Sequence, residues 1–134
     1  MDITIKNITR DQLVDLFTTA TYGSSWLGIK TLKNERHLDE QLSPEYLEER
    51  CIEEKWADRL LAGGSIVCID YEDEDEDGKP VRYVLSLDDI KNGLTKAAMG
   101  EAVRDWADWI EEQHDYYTCN NLMQVCIFGE VIYG

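Results

Sequence analysis

The sequence predicts an α+β domain: a small mixed or antiparallel sheet of about four strands, including a central hairpin, packed by about four to five helices. Three observations lead there. Ser65–Tyr71 (SIVCIDY) and Val81–Leu85 (VRYVL) are rich in β-branched and aromatic residues, and the linker between them contains the turn dipeptide Asp77-Gly78. Thr9 with Gln12 three residues on is a capping box, and Ser43-Pro44-Glu45 is a helix start with Ser at N-cap, Pro at N1 and an acid in the first turn. Finally, Cys119–Gly134 (CNNLMQVCIFGEVIYG) holds one charged residue, Glu130, in a chain crowded with charge. Cys119, Leu122, Met123 and Cys126 fall on one helical stripe, which Val125 and Phe128 widen. That stretch reads as a core helix ending near Gly129 with a short apolar tail.

The elements follow in order. Ile3-Thr4-Ile5-Lys6 alternates apolar and polar, as a short strand does. A helix is expected from about Arg10 to Ala20, with Leu13, Leu16, Phe17 and Ala20 inward and Gly23 stopping it. Trp26–Lys30 reads as a second strand, in which Gly28 marks a bulge or a close backbone approach. Lys33–Gln41 (KNERHLDEQ) is polar and aperiodic and reads as a loop. The Ser43 helix is expected to reach Leu61 and to end at Gly63-Gly64. After the hairpin, Ser86 caps a helix to about Met99, broken by Gly100, and a further helix runs from Glu101 to about Gln113. Its expected inner stripe is Val103, Trp106, Ala107 and Ile110, with Trp109 at the rim.

At 134 residues the chain is read as one domain, 1–134, long enough to bury a real core. Hydrophobic content of 43% is that of a globular chain. The net charge of −15 repels nucleic acid and anionic membrane and favours basic partners. Cys51, Cys68, Cys119 and Cys126 form no CxxC pair and sit among apolar or periodic residues, as buried reduced thiols do. The start MDITIKNITRDQ lacks the build of a signal peptide, and no run approaches the ~18 apolar residues of a membrane span. The expectation is a soluble protein inside the cell.

The most unusual stretch is Glu72, Asp73, Glu74, Asp75, Glu76 and Asp77, six like charges that must face solvent at the hairpin tip. Asp73, Asp75, Asp77 and Gly78 match the opening of a calcium loop, but Val84 stands where the bidentate Glu belongs, and the flanks read as strands. No metal site is expected. Duplex DNA carries about one charge per 1.7 Å of axis, a density that a run of carboxylates approaches. Glu45, Glu48, Glu49, Glu53 and Glu54 add acid along one helix, and Asp105, Asp108, Glu111, Glu112 and Asp115 along another; a solvated helix face is the plain meaning of each. His37 and His114 lie beside no cysteine at ligand spacing. No cysteine has a nearby histidine, Ser24-Ser25 sits in no G-x-S-x-G, and there is no phosphate-binding glycine loop. Neither catalysis nor a cofactor is expected. Tyr22, Trp26, Tyr116 and Tyr117 lie next to turns, where they either pack or anchor an interface.

Tyr22-Gly23 followed by Trp26 after the first helix, and the ending Phe128–Gly134 (FGEVIYG), resemble a loose group of small phage and mobile-element proteins of uncharacterised role. The resemblance spans the two ends and not the acidic middle. It implies a genomic setting in which small acidic accessory proteins include anti-CRISPR and other anti-defence inhibitors. It carries over no catalytic residue.

Together these readings lead to a non-catalytic inhibitor in the host cytoplasm. Its carboxylates, Glu72–Asp77 with Glu111 and Glu112, would oppose the basic groove of a host nucleic-acid-processing protein such as a CRISPR effector. Direct contact with nucleic acid or membrane is not expected. Two alternatives stand beside it: a binder of nucleotide signals with a pocket lined by Trp and Tyr, and a phage structural or assembly protein that forms homodimers or larger oligomers through its aromatic surface.

Overall fold

A computed structural model of the chain describes residues 7–111 and 115–133. Among them the fold is α+β, with a three-stranded antiparallel sheet in the order β1-β2-β3. The strands are β1 (Leu27–Thr31), β2 (Ser65–Glu74) and β3 (Pro80–Ser86). The helices are α1 (Arg10–Thr21), α2 (Pro44–Glu49), α3 (Ile52–Leu61), α4 (Leu87–Lys96), α5 (Val103–Ile110) and α6 (Tyr116–Phe128). A 3-10 helix spans Lys33–Asp39, and a π-helical turn spans Ala97–Glu101. The predicted strand at residues 3–6 lies outside the described residues. Two compact units are formed, one from the chain up to Gly23 with Asp88 onward, the other from Ser24–Leu87. No helix among the described residues is long and apolar enough to cross a membrane.

The first unit is helical. Thr9 and Gln12 close the capping box of α1 in both directions, at 3.1 and 2.9 Å. Leu13, Leu16, Phe17 and Ala20 are fully buried, each apolar side chain of that size contributing roughly 1.5–3 kcal/mol on leaving water. α1 and α5 pack on α6, which buries Cys119, Leu122, Met123, Val125 and Cys126 and also Asn120 and Gln124. Asp115 caps α6 through the Thr118 N–H, and Gly129 ends it at φ +81°. At Gly93 a Cβ would lie 2.7 Å from the Cys126 sulfur, so the α4 and α6 backbones meet where only glycine fits.

α5 departs from its expected stripe. Val103 and Ile110 are about half exposed and Ala107 is exposed, while Trp109 is buried and Trp106 is partly buried against it, ring centroids 5.7 Å apart. The cause is Gly100, whose φ of +141° re-aims the chain before α5 begins. The inner face becomes Ala102, Asp105 and Trp109, and Asn121 of α6 donates to the Asp105 carboxylate at 3.3 Å.

In the second unit α3 packs on β1 and β2 through Trp56, Ala57 and Leu60. The expected long helix from Ser43 to Leu61 is two helices, because Arg50 and Cys51 are extended, at ψ 143° and 169°. Arg50 explains the break. Its guanidinium donates to Asp39 at 2.9 Å and to Asp58 at 3.1 Å. Arg59, 1% exposed, donates twice to Asp39 at 2.9 Å and once to the Leu32 carbonyl at 3.1 Å. The Tyr46 hydroxyl donates to Asp58 at 2.6 Å. The expected loop Lys33–Gln41 therefore contains the ordered 3-10 helix that supplies Asp39, and its Glu35 accepts from the Ser65 N–H at the start of β2, 2.9 Å.

Hydrogen bonds from Arg59 outweigh burial and hold the Asp39 carboxyl below its ordinary range. A carboxylate lowered in this way stabilises the fold above its unfolded pKa, about 3.9, and the contribution is lost as pH falls through the lower folded value. Asp39→Ala leaves two buried guanidiniums short of a partner and should cost about 3–5 kcal/mol at pH 7. In urea titrations followed by tryptophan fluorescence, the gap between wild type and variant should shrink below about pH 4; an unchanged gap at pH 3 contradicts this assignment.

Candidate functional site: the acidic hairpin

The hairpin grows from the middle of the sheet. In β2, Ile66, Val67, Cys68, Ile69 and Asp70 are all buried, the near-continuous pattern of a central strand. Ser65 to Asp70 pair in simple register with Ser86 to Val81, and Leu27 pairs with Asp70 on the other side. The register then breaks. Asp70 faces Val81 and Glu74 faces Pro80, so Tyr71, Glu72 and Asp73 have no residues opposite them on β3. Three residues against none is more than a simple bulge, and its cause is local: the buried Asp70 carboxylate takes the Glu72 N–H at 3.0 Å and draws it from the ladder.

The bulge places Tyr71 back across β1. Its N–H donates to the Trp26 carbonyl at 2.8 Å, and its ring covers Gly28, where a Cβ would lie 2.7 Å from the ring. The glycine read as a close approach is therefore one, and the approaching group is Tyr71. Tyr71 is nonetheless 55% exposed.

Beyond the bulge the acids divide into two sets. Glu72, Asp73 and Glu74 belong to β2, so the strand runs further into the run than the expected end at Tyr71. Asp75, Glu76 and Asp77 form the tip with Gly78, which adopts φ +75°. Asp75 builds that turn: its carboxylate accepts from the N–H groups of Asp77 and Lys79 at 2.9 and 3.0 Å, and its own N–H donates to the Lys79 carbonyl at 2.8 Å. The Gly78 N–H closes the turn onto the Asp75 carbonyl at 3.0 Å. Residues 71–79 are all exposed. Among the described residues no group of His, Cys, Asp or Glu is arranged to hold a metal ion.

The other acids are placed differently. Glu111 ends α5 in the first unit and is exposed; Glu112 lies outside the described residues, as does His114. Glu72–Asp77 and Glu111 thus belong to different units. Asp105 is half-buried, and desolvation raises its pKa, with Asp108 and Asp115 adding repulsion. Glu45, Glu48 and Glu49 are on α2 and Glu53 and Glu54 on α3, so they do not form one helical row. Glu54 caps its own helix by accepting from the Cys51 N–H at 3.2 Å.

Of the aromatics singled out in the sequence, Trp26, Trp56 and Trp109 are buried, whereas Tyr22 and Tyr117 are exposed. All four cysteines are free; Cys68, Cys119 and Cys126 are buried, and Cys51, expected inside, is exposed because the helix breaks there. Burial pushes the Cys68 and Cys119 thiols up to about 12. What the sequence did not reveal was Tyr71 and Asp70 as organisers of the hairpin base; the tyrosine beside an acidic run, one strand on from a strand glycine, was the available signal. Tyr71→Ala should remove the ring-current shift of the Gly28 α-protons in the NMR spectrum, and Gly28→Ala should cost about 1–3 kcal/mol by overpacking. An unshifted Gly28 signal in the wild type would contradict the ring placement.

No protein-family model, no curated protein and no solved structure matches the chain.

Proposed function

We propose that this chain is a non-catalytic inhibitor, an anti-defence factor of phage or mobile-element type, that occupies the basic groove of a host nucleic-acid-processing protein such as a CRISPR effector. One observation carries the reading: the first half of the acidic run, Glu72–Glu74, continues strand β2 in extended conformation. A strand advances about 3.3–3.4 Å per residue, and each strand of B-DNA carries one charge per about 3.4 Å of axis. Counted over both faces, Glu72, Asp73 and Glu74 therefore carry charge at about the linear density of one nucleic-acid strand, and at half that density on either face. The turn built by Asp75 holds the tip in one geometry, which lowers the ordering cost of binding. The net charge of −15 adds long-range attraction to a cationic groove. Cys68 and Cys119, with pKa values raised to about 12, stay protonated at neutral pH, which fits a scaffold rather than a nucleophile.

In a host lysate, the immobilised chain should retain a nucleic-acid-binding protein that excess duplex DNA displaces. Converting Glu72–Asp77 to Gln and Asn should lower the association rate for that protein about tenfold or more at low salt, with the difference fading as ionic strength rises. An unchanged association rate at every salt concentration would refute the mimicry.

A further inference from the structure

Gln124 is the polar group that the first unit has least reason to bury. It lies in the most apolar helix of the chain and is 1% exposed. All four of its hydrogen-bonding positions are used. Its Oε1 accepts from the backbone N–H groups of Ile132 and Tyr133, both at 2.8 Å. Its Nε2 donates to the Tyr133 carbonyl at 3.2 Å and to Asn120 Oδ1 at 3.0 Å. Behind it, Asn120 Nδ2 donates to the Ala20 carbonyl in the last turn of α1 at 3.2 Å. The carboxamide is thereby fixed in one orientation by the helix pair and reads the tail only through main-chain atoms.

The tail itself is partly exposed. Val131 and Ile132 are 39% and 47% exposed. Tyr133 meets Phe128 edge-on, ring centroids 5.9 Å apart. The connection to α6 is Gly129, in the left-handed conformation, and the exposed Glu130. A segment with this anchoring opens at a lower cost than the helices beneath it.

We propose that Gln124, oriented by Asn120, forms a binding site for peptide main chain, and that the chain's own residues 131–133 plug it in cis. The site takes a segment with two successive free N–H groups, the second from a residue whose carbonyl also accepts and whose aromatic ring reaches Phe128. Proline at either of the two positions is excluded because it has no N–H to donate. The tethered tail is present at a high effective concentration, so a peptide in solution binds only when the plug is disabled.

The test uses the full chain carrying Ile132→Pro and Tyr133→Pro, which removes both donors from the plug. The peptide acetyl-Val-Ile-Tyr-amide, titrated into this variant, should shift the Gln124 side-chain amide signals saturably, in the millimolar range expected of so few contacts. The wild type should bind the peptide at least tenfold more weakly, and acetyl-Val-Pro-Tyr-amide should leave the variant's signals unmoved. Absence of a saturable shift, or equal binding of the proline peptide, overturns the proposal. Hydrogen exchange on the wild type provides a check that does not depend on the variant folding. The Ile132 and Tyr133 amides should exchange at least tenfold faster than those of Val125 and Cys126, by an opening insensitive to low denaturant. If they exchange only with global unfolding, the tail is fixed core and not a plug.

Discussion

One carboxylate shared between two buried guanidiniums, Asp39 between Arg50 and Arg59, is what the second unit depends on. The 3-10 helix and α2 have no fully buried residue of their own; Leu38, set against Gly64, is partly covered, so apolar burial alone does not hold them in place. A six-residue helix is far below the length at which helices persist alone. What fixes these segments is polar: Asp39, Glu35 and Tyr46 each reach a partner on α3, on Arg50 or on β2. With Asp58 included, the cluster holds two cations and two anions, so the charge balances inside it. A buried cluster of this kind adds little over an apolar one, but it tolerates no single deletion. Its contribution is to geometry: it dictates where α2 stops, where α3 starts and how β2 enters the sheet.

This accounts for which parts of the fold were legible in the sequence. α1 was readable in its cap, its start and its buried face, and its end to within one residue, because its signals, a capping box and an apolar period, are local. The hairpin and the end of α6 at Gly129 were readable for the same reason. KNERHLDEQ was read as a loop because periodicity sees only apolar residues, and this segment is organised by carboxylates whose partners lie some 11 to 30 positions away in sequence. Arg50-Cys51 gave no sign of a helix break, since the extended backbone there serves a distant aspartate. The phase of α5 was misread across Gly100: a glycine announces a break, but not the direction in which the chain leaves it. For the candidate site, the charge run was visible and its geometry was not. Asp70, which starts the register break, is in sequence simply a polar residue inside the strand Ser65–Tyr71.

The acids of this chain therefore perform two kinds of work. Glu35, Asp39, Glu54, Asp58, Asp70, Asp75 and Asp115 each accept from a backbone N–H, an arginine or a tyrosine and shape the fold. Net charge counts them equally with the exposed acids of the hairpin, yet their field is spent locally on the groups they hold. Of the exposed run, Asp75 belongs to both kinds, since it is solvent-facing and also builds the turn.

That division bears on how six like charges remain ordered. Same-face carboxylates on a strand sit about 6.8 Å apart, and in water-like surroundings such a pair repels by about 0.6 kcal/mol. A run of this length accumulates a few such terms. Against them stand the hydrogen bonds that the Asp70 and Asp75 carboxylates accept, those of Asp75 weakened by water at the exposed tip, and the buried lower half of β2. The hairpin thus holds its shape while its charges still oppose one another. A cationic surface laid over the strand relieves that opposition without reshaping the backbone. On the proposed reading this is where the binding free energy originates: the partner's positive charge neutralises a repulsion that the fold has already been made to withstand.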